Sequence, residues 1–338
     1  MKKKVAFGLI GTGAVVVIAL LVIVFVLSKK MNANLEKQIN HFLQEKVASA
    51  DSEILSFEPF VCSGKTEIAC KSKAIVFGAP DLLGIEEDTQ SKQTQAESWR
   101  FEDIELDLSG RDSQANASAQ FLARNSEIAF KITCDASLDS ESKNAVRAGI
   151  ECYGKNEEFA YNGFAKAHFS LTHKDFTGKI QDALAILLDI NKEGDKSADD
   201  GKDGEEKRNA LGVRLDSLAI NERANDLFSV YKKALGAENE GMLEGMLFGF
   251  VLFSHMLQNE LQEQSDEEIK EFESALLNAL ESVLSAFDGG NALNIEVAKK
   301  ADYEPILLPE IEERITLEWL AKHYAIDSSA QTLENNAE

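Results

Sequence analysis

The hydrophobic pattern of this chain opens with an apolar segment at residues 5–27, which has no charged side chain and is polar only at Thr12. A helix of this length spans roughly 34 Å, which is enough to cross the hydrocarbon core of a bilayer. A cleaved signal peptide is the alternative, but the apolar run exceeds the usual signal-peptide core and no small-residue cleavage site follows it. The pattern therefore predicts a transmembrane helix at residues 5–27, preceded by a cytoplasmic stub at residues 1–4.

Beyond this segment, apolar residues recur at helical spacing, in Leu35, Ile39, Phe42, Leu43 and Val47. The spacing predicts an amphipathic stalk helix at residues 31–48. Because the repeat is too short to sustain a coiled coil, we expect this helix to pack against the sheet of its own domain.

Strand-like alternation dominates residues 49–190, which we interpret as a β-rich extracytoplasmic region. Two β-rich runs at 54–62 and 67–77 flank a turn at 63–66, which predicts a hairpin. Short polar turns separate the later runs, so an antiparallel meander is the expected product. The further strands are predicted near residues 99–108, 117–124, 127–134, 145–153 and 159–173.

The alternation of apolar and polar residues breaks within the strand predicted near residues 99–108. Period two holds within Ile104, Leu106 and Leu108, but these residues are offset from Phe101. One extra residue on a strand produces such an offset, so the pattern predicts a β-bulge near Asp103.

The remainder of the chain has a mixed pattern. An acidic, glycine-containing stretch at residues 191–209 predicts a flexible loop. We interpret residues 210–325 as a helical region with short strands and residues 326–338 as a disordered tail. The expected fold class is α+β, with an N-terminal transmembrane helix followed by an antiparallel β-meander packed with several α-helices. The helices are predicted near residues 224–235, 241–263, 266–287 and 311–324, and the strands near 213–220 and 293–297.

All four cysteines, Cys62, Cys70, Cys134 and Cys152, follow the predicted span. An even count in two local pairs is typical of an oxidising compartment, whereas neither pair has the spacing of a zinc knuckle. Three pairings are possible in principle, and the strand assignment favours Cys62 with Cys70 and Cys134 with Cys152. We therefore expect a single-pass protein of the inner membrane, with its N-terminus in the cytoplasm and its C-terminal domain in the periplasm.

The net charge of the chain indicates which kinds of partner it can bind. The formal net charge is −23, and the residues beyond position 30 carry −28. Such a surface repels nucleic acid and anionic headgroups, so we expect no nucleic-acid partner and expect any lipid contact to be apolar. Asn116 begins a sequence with the form of a glycosylation sequon.

Catalytic and metal-binding signatures are incomplete in this sequence. Gly64-Lys65-Thr66 ends like a phosphate-binding loop, but the first glycine of that loop would fall on Pro59. An EF-hand register in the acidic loop would place Ala210 where glutamate is needed. The five histidines are scattered, and none lies in a zinc-protease motif. We therefore expect no catalytic residue, no metal and no cofactor.

The predicted helix at residues 241–263 has an unusual composition. Glycine recurs every four residues, at Gly241, Gly245 and Gly249, and apolar side chains that include Phe248 and Phe253 fill most other positions. The uncharged run is too short for a second membrane span. We favour a core helix whose glycine stripe lets the helix at 266–287 approach closely. The alternative is a helix that borders an apolar groove and contacts lipid.

Two sequence phrases and the general plan of the chain suggest a relationship. The chain resembles bacterial single-pass envelope proteins such as YdgA and, more distantly, AsmA. The resemblance rests on the lysine-flanked span, the meander and two sequence segments, FEDIELDLSG at 101–110 and VRLDSLAI at 213–220. The resemblance to AsmA-like proteins implies lipid handling between membranes. The leading hypothesis is a membrane-anchored structural or protein-binding envelope factor without catalytic activity. A lipid-binding envelope protein with an apolar groove near residues 241–263 is the alternative, and an unrecognised enzyme is the third hypothesis.

Overall fold

A single antiparallel sheet dominates the structure. The computed structural model describes residues 35–48, 54–64, 67–78, 98–192, 209–236, 240–288, 292–301 and 303–331. The strands in these ranges are β1 (Ile54–Phe57), β2 (Val61–Gly64), β3 (Glu67–Phe77), β4 (Trp99–Arg111), β5 (Gln114–Arg124), β6 (Ala129–Ser142), β7 (Ala145–Asn156), β8 (Tyr161–Thr172), β9 (Gly212–Arg223), β10 (Ala292–Lys299), β11 (Ile306–Leu307) and β12 (Tyr324–Gln331). Their spatial order is β1-β3-β4-β5-β6-β7-β8-β9-β10-β12, with β2 paired to β3 and β11 to β9.

Helices flank this sheet and connect some of its strands. In the described ranges they are α1 (Leu35–Ala48), α2 (Ile180–Lys192), α3 (Leu227–Leu235), α4 (Glu240–Glu263), α5 (Glu267–Phe287), α6 (Ile311–Arg314) and α7 (Leu317–His323). A short 3₁₀ turn, Leu308–Glu310, precedes α6.

The expected α+β class is wrong, because the described residues form mostly one large antiparallel sheet with few helices. The region interpreted as helical with short strands contains β9, β10 and the first two residues of β12, and these strands extend the meander. Strand β12 also occupies the start of the tail that we expected to be disordered. Its polar residues Asp327 and Ser329 are exposed at an edge strand, where polar side chains are tolerated, and this polarity made the segment resemble a tail.

No described helix is both long and apolar enough to cross a membrane. The predicted cytoplasmic stub at 1–4 and the predicted span at 5–27 lie outside the described residues, as does most of the acidic loop predicted at 191–209.

The sheet has an apolar face, produced on strands such as β3, β4 and β5 by period-two alternation. On β5, for example, Ala115, Ala117, Ala119, Phe121 and Ala123 are buried, while the residues between them are more exposed. Small side chains on this strand leave room for the bulkier residues of its neighbours, such as Leu106, which lies opposite Ala119.

Both predicted disulfides are confirmed. Cys62 is bonded to Cys70 across β2 and β3, and Cys134 is bonded to Cys152 across β6 and β7. The two residues of each pair lie directly opposite one another, at Cα separations of 4.0 and 4.1 Å. The disulfides therefore link strands that are already neighbours, and each one holds the register of its strand pair.

Two local predictions in the N-terminal half are also confirmed. The register of β4 against β5 shifts between Glu102 and Glu105, and Asp103 has a positive φ of 49°, so the strand bulges where the alternation breaks. Helix α1 packs on the apolar face of the sheet through Leu35, Ile39 and Leu43. The described part of the predicted stalk is thus a packing helix of the domain.

Candidate functional site: an apolar cavity and an exposed helix face

A cavity of 380 Å³ lies between the sheet and the C-terminal helices. Sixteen of the described residues line it, and Arg214 is the single one among these sixteen with a charged side chain. Helix α5 contributes Phe272 and Leu276, and the segment 303–320 contributes seven of the lining residues. The sheet contributes Phe169, Val213, Leu215, Val297, Tyr324 and Ile326.

The local sequence explains how these side chains converge. Alternation on β9 points Val213 and Leu215 to the same face, and a spacing of four residues places Phe272 and Leu276 on one face of α5. Asp266 begins α5 by accepting hydrogen bonds from the backbone N–H groups of Glu268 and Ile269. The cavity is therefore built on regular elements, not on loops alone.

A saturated polar cluster borders the cavity at Arg214. The Arg214 Nε donates to Asp216 Oδ1 at 2.9 Å, Nη1 donates to the carbonyl oxygen of Tyr303 at 2.7 Å, and Nη2 donates to Ser170 Oγ at 3.1 Å. The Ser170 hydroxyl in turn donates to Asp216 Oδ2 at 2.6 Å, and Lys299 Nζ lies 3.1 Å from Asp216 Oδ1. The N–H groups of the Arg214 guanidinium that are named here therefore all donate to other groups of the protein.

The shifted pKa values of Asp216, Tyr303 and Tyr324 determine the charge of each of these groups at neutral pH. Burial raises the pKa of Asp216, but hydrogen bonds from Ser170 and Lys299 and the charge of Arg214 outweigh it and lower the pKa below its ordinary value. Burial raises the pKa values of Tyr303 and Tyr324, whose hydroxyls are hydrogen-bonded to each other. At neutral pH the carboxylate is therefore ionised and paired, and both tyrosines are neutral. A ligand in the cavity would therefore contact mainly apolar side chains and would meet little unpaired charge.

One side of the cavity reaches the protein surface. The lining residues Ile315 and Leu317 are 41% and 36% exposed, whereas the lining residue Phe272 is buried. An apolar ligand could enter beside Ile315 and Leu317 and leave a polar end in solvent.

Helix α4 carries a second unusual feature, an exposed apolar face. Phe248 is 63% exposed and Met256 is 59% exposed, and Leu252 between them is also exposed. The buried residues Leu243, Ser254 and Leu257 lie on the opposite side of the helix. Val251 and Phe253 are exposed at the borders of the apolar face.

The glycine stripe of α4 lies on this exposed face. Among the described residues, a Cβ atom added to Gly241, Gly245 or Gly249 would meet no atom within 4 Å. The favoured expectation, that the stripe is a tight contact with the helix at 266–287, is therefore wrong. Helix α4 does pack against α5, but its glycines face away from the buried side, because Leu243 and Leu257 occupy that side.

No family model and no curated protein sequence matches this chain.

A second, polar trough crosses β3 to β8. It has a volume of 610 Å³, and its lining includes Asp107, Asp135, Glu151 and His168. A hydrogen bond from Lys166 lowers the pKa of Glu151 below its ordinary value, so this carboxylate is ionised and paired at neutral pH. A general acid requires the opposite shift, so Glu151 is not prepared for that role. Across the described ranges, no group of three or more His, Cys, Asp or Glu side chains could hold a metal ion.

Sequence reasoning identified α4 but missed the cavity. The cavity brings together strands β8 to β12 with α5 and the segment 303–320, which are distant in sequence. A weak signal was present, because Ile306, Ile311, Ile315 and Leu317 are more apolar than a surface connection needs. That signal does not reveal which strands these residues face.

Proposed function

We propose that this protein is a non-catalytic extracytoplasmic protein that binds the apolar chain of a lipid-like ligand in the cavity between the sheet and α5. The observation that carries the proposal is the nearly uncharged lining of the 380 Å³ cavity. Cavities that bind small molecules typically range from about 300 to 1,000 Å³ and are lined mostly by hydrophobic and aromatic side chains.

The chemistry of the lining favours an aliphatic chain. Aromatic rings from Phe169, Phe272 and Trp319 and branched side chains such as Leu276 surround the space. Each methylene buried among them would contribute about 0.8 kcal/mol through the hydrophobic effect. The polar end of such a ligand would remain in solvent beside Ile315 and Leu317, since Arg214 already donates to Asp216, Tyr303 and Ser170.

The two disulfides support an oxidising compartment for this activity. Attachment to the inner membrane stays a prediction, because residues 5–27 lie outside the described part of the chain.

A cavity-filling variant tests the proposal. Leu276→Phe adds volume inside the cavity, whereas Asn278→Phe adds the same ring to an exposed position of the same helix. Palmitate should raise the thermal unfolding midpoint of the unmodified protein, because a ligand that binds the folded state stabilises it. We expect Leu276→Phe to abolish most of this rise and Asn278→Phe to preserve it. An equal rise in all three proteins, or no rise in any, would contradict the proposal.

A further inference from the structure

The exposed face of α4 has the dimensions of a helix-docking site. It comprises Gly241, Gly245, Phe248, Gly249, Leu252 and Met256, which succeed one another along one side of the helix over roughly 22 Å. The glycines leave a shallow path along the helix axis, and Phe248, Leu252 and Met256 stand beside it. Small residues flanked by large apolar ones allow a second helix backbone to approach closely.

The charge around this face restricts what can cover it. Helix α4 has four glutamates and no lysine or arginine. Helices α4 and α5 with their connection, residues 240–287, contain ten acidic residues and one lysine. A second copy of this chain would bring an equally acidic surface against the first, and an anionic bilayer would be repelled in the same way. Interfacial membrane helices are instead rich in lysine and arginine.

We propose that the exposed α4 face docks an amphipathic helix of a partner protein, with an apolar stripe flanked by lysine or arginine residues. The apolar stripe covers Phe248, Leu252 and Met256, and the basic flanks meet Glu244 and Glu260, which are exposed on α4. This is the helix-in-groove mode of recognition, in which apolar anchors repeat at helical spacing. The proposal does not depend on a ligand in the cavity, because none of the residues of this face lines it.

Two synthetic peptides test the charge requirement on the full-length protein. Both carry the same leucine and alanine stripe on a helix of roughly four turns, and they differ only in lysine or glutamate flanks. Fluorescence anisotropy should show binding of the lysine peptide that weakens at high salt, and binding of the glutamate peptide that is at least about tenfold weaker. Equal affinities, or no binding of the lysine peptide, would overturn the proposal.

Three variants locate the binding face. Phe248→Ser combined with Leu252→Ser should weaken the lysine peptide by about tenfold or more, because it removes two central apolar anchors. Gly245→Leu should weaken it comparably by blocking close approach, without lowering the thermal unfolding midpoint. Leu55→Ser, which alters an exposed leucine on β1, is the matched control and should change nothing.

Other occupants give distinct results with the same variants. A concentration-dependent dimer in sedimentation that Phe248→Ser dissolves would identify a second copy as the occupant and overturn the proposal. Flotation with phosphatidylcholine vesicles that is lost in the same variant would identify a bilayer and would also overturn it.

Discussion

The Tyr231 hydroxyl is hydrogen-bonded to both carboxylate oxygens of Glu222, at 2.6 Å from Oε1 and 2.7 Å from Oε2. Tyr161 donates to the same Oε1 atom at 3.2 Å. Glu222 is buried near the end of β9, and burial raises its pKa more than the two tyrosine hydrogen bonds lower it. The arrangement links β8, β9 and α3 through one carboxyl group.

The raised pKa of Glu222 predicts a pH-dependent stability. Between the ordinary glutamate pKa of 4.5 and the higher folded-state value, the folded protein binds the proton more tightly than the unfolded chain. The contribution of Glu222 to the free energy of unfolding is therefore largest at low pH, and it falls as the pH rises through this window.

Chemical denaturation of the unmodified protein and Glu222→Gln from about pH 4 to pH 8 measures this contribution. Groups with lowered pKa values, such as Asp216, act equally in both proteins and cancel in the difference. The variant should gain stability relative to the unmodified protein as the pH rises. If the difference in the free energy of unfolding between the two proteins stayed constant with pH, the raised pKa of Glu222 would be contradicted.

Gly163 makes room for Tyr161. A Cβ atom added to Gly163 would lie 2.2 Å from the Tyr161 hydroxyl oxygen, whereas one added to its cross-strand partner Gly154 would lie 3.5 Å from the same ring. We expect Gly163→Ala to lower the free energy of unfolding by about 1 to 3 kcal/mol, since the ring must move and disturb its contact with Glu222. Gly154→Ala is the matched control and should cost much less. Similar losses in the two variants would show that Tyr161 is not closely held.

The two disulfides should differ in their contribution to stability. The Cys134–Cys152 bond closes a sequence separation of 18 residues, against 8 for Cys62–Cys70, and the longer loop loses more entropy when it is closed. Replacing Cys134 and Cys152 by serine should therefore cost about 3 kcal/mol, and replacing the other pair should cost less. Urea denaturation of both double variants checks the order, and a reversed order would contradict it.

Gly245→Leu separates a packed glycine stripe from an exposed one. Because no atom of the described residues lies within 4 Å of an added Cβ, leucine should be accommodated and should stabilise α4 by up to about 1 kcal/mol as the better helix former. Leu243→Ala, on the buried side of the same helix, should cost about 2 to 5 kcal/mol. A lower thermal midpoint for Gly245→Leu would restore the packed interpretation.

The sequence predicts local features of this sheet well. Both disulfides follow from strand runs separated by clear turns, and the bulge at Asp103 follows from a break between Phe101 and Ile104. These features depend on neighbours along the chain, for which period-two alternation is direct evidence.

Features that depend on distant neighbours were not predicted. Glu222 and Asp327 are charged residues in β9 and β12, so their strands look shorter or less regular in sequence than they are. Glu222 is accommodated by Tyr161 and Tyr231, and Asp327 by exposure at the sheet edge. The buried side of α4 was not predictable either, because apolar residues surround the helix and leave no polar face to mark solvent.

Quenching of Trp319 fluorescence tests most directly whether an apolar ligand binds in the cavity. The chain has two tryptophans, so Trp99→Phe leaves Trp319 in the cavity lining as the single tryptophan reporter. Titration with a brominated fatty acid should quench this fluorescence saturably, and adding Leu276→Phe should weaken the apparent affinity by about tenfold or more, since the ligand loses its space. Unquenched Trp319 fluorescence, or quenching that Leu276→Phe leaves unchanged, would contradict a ligand in this cavity.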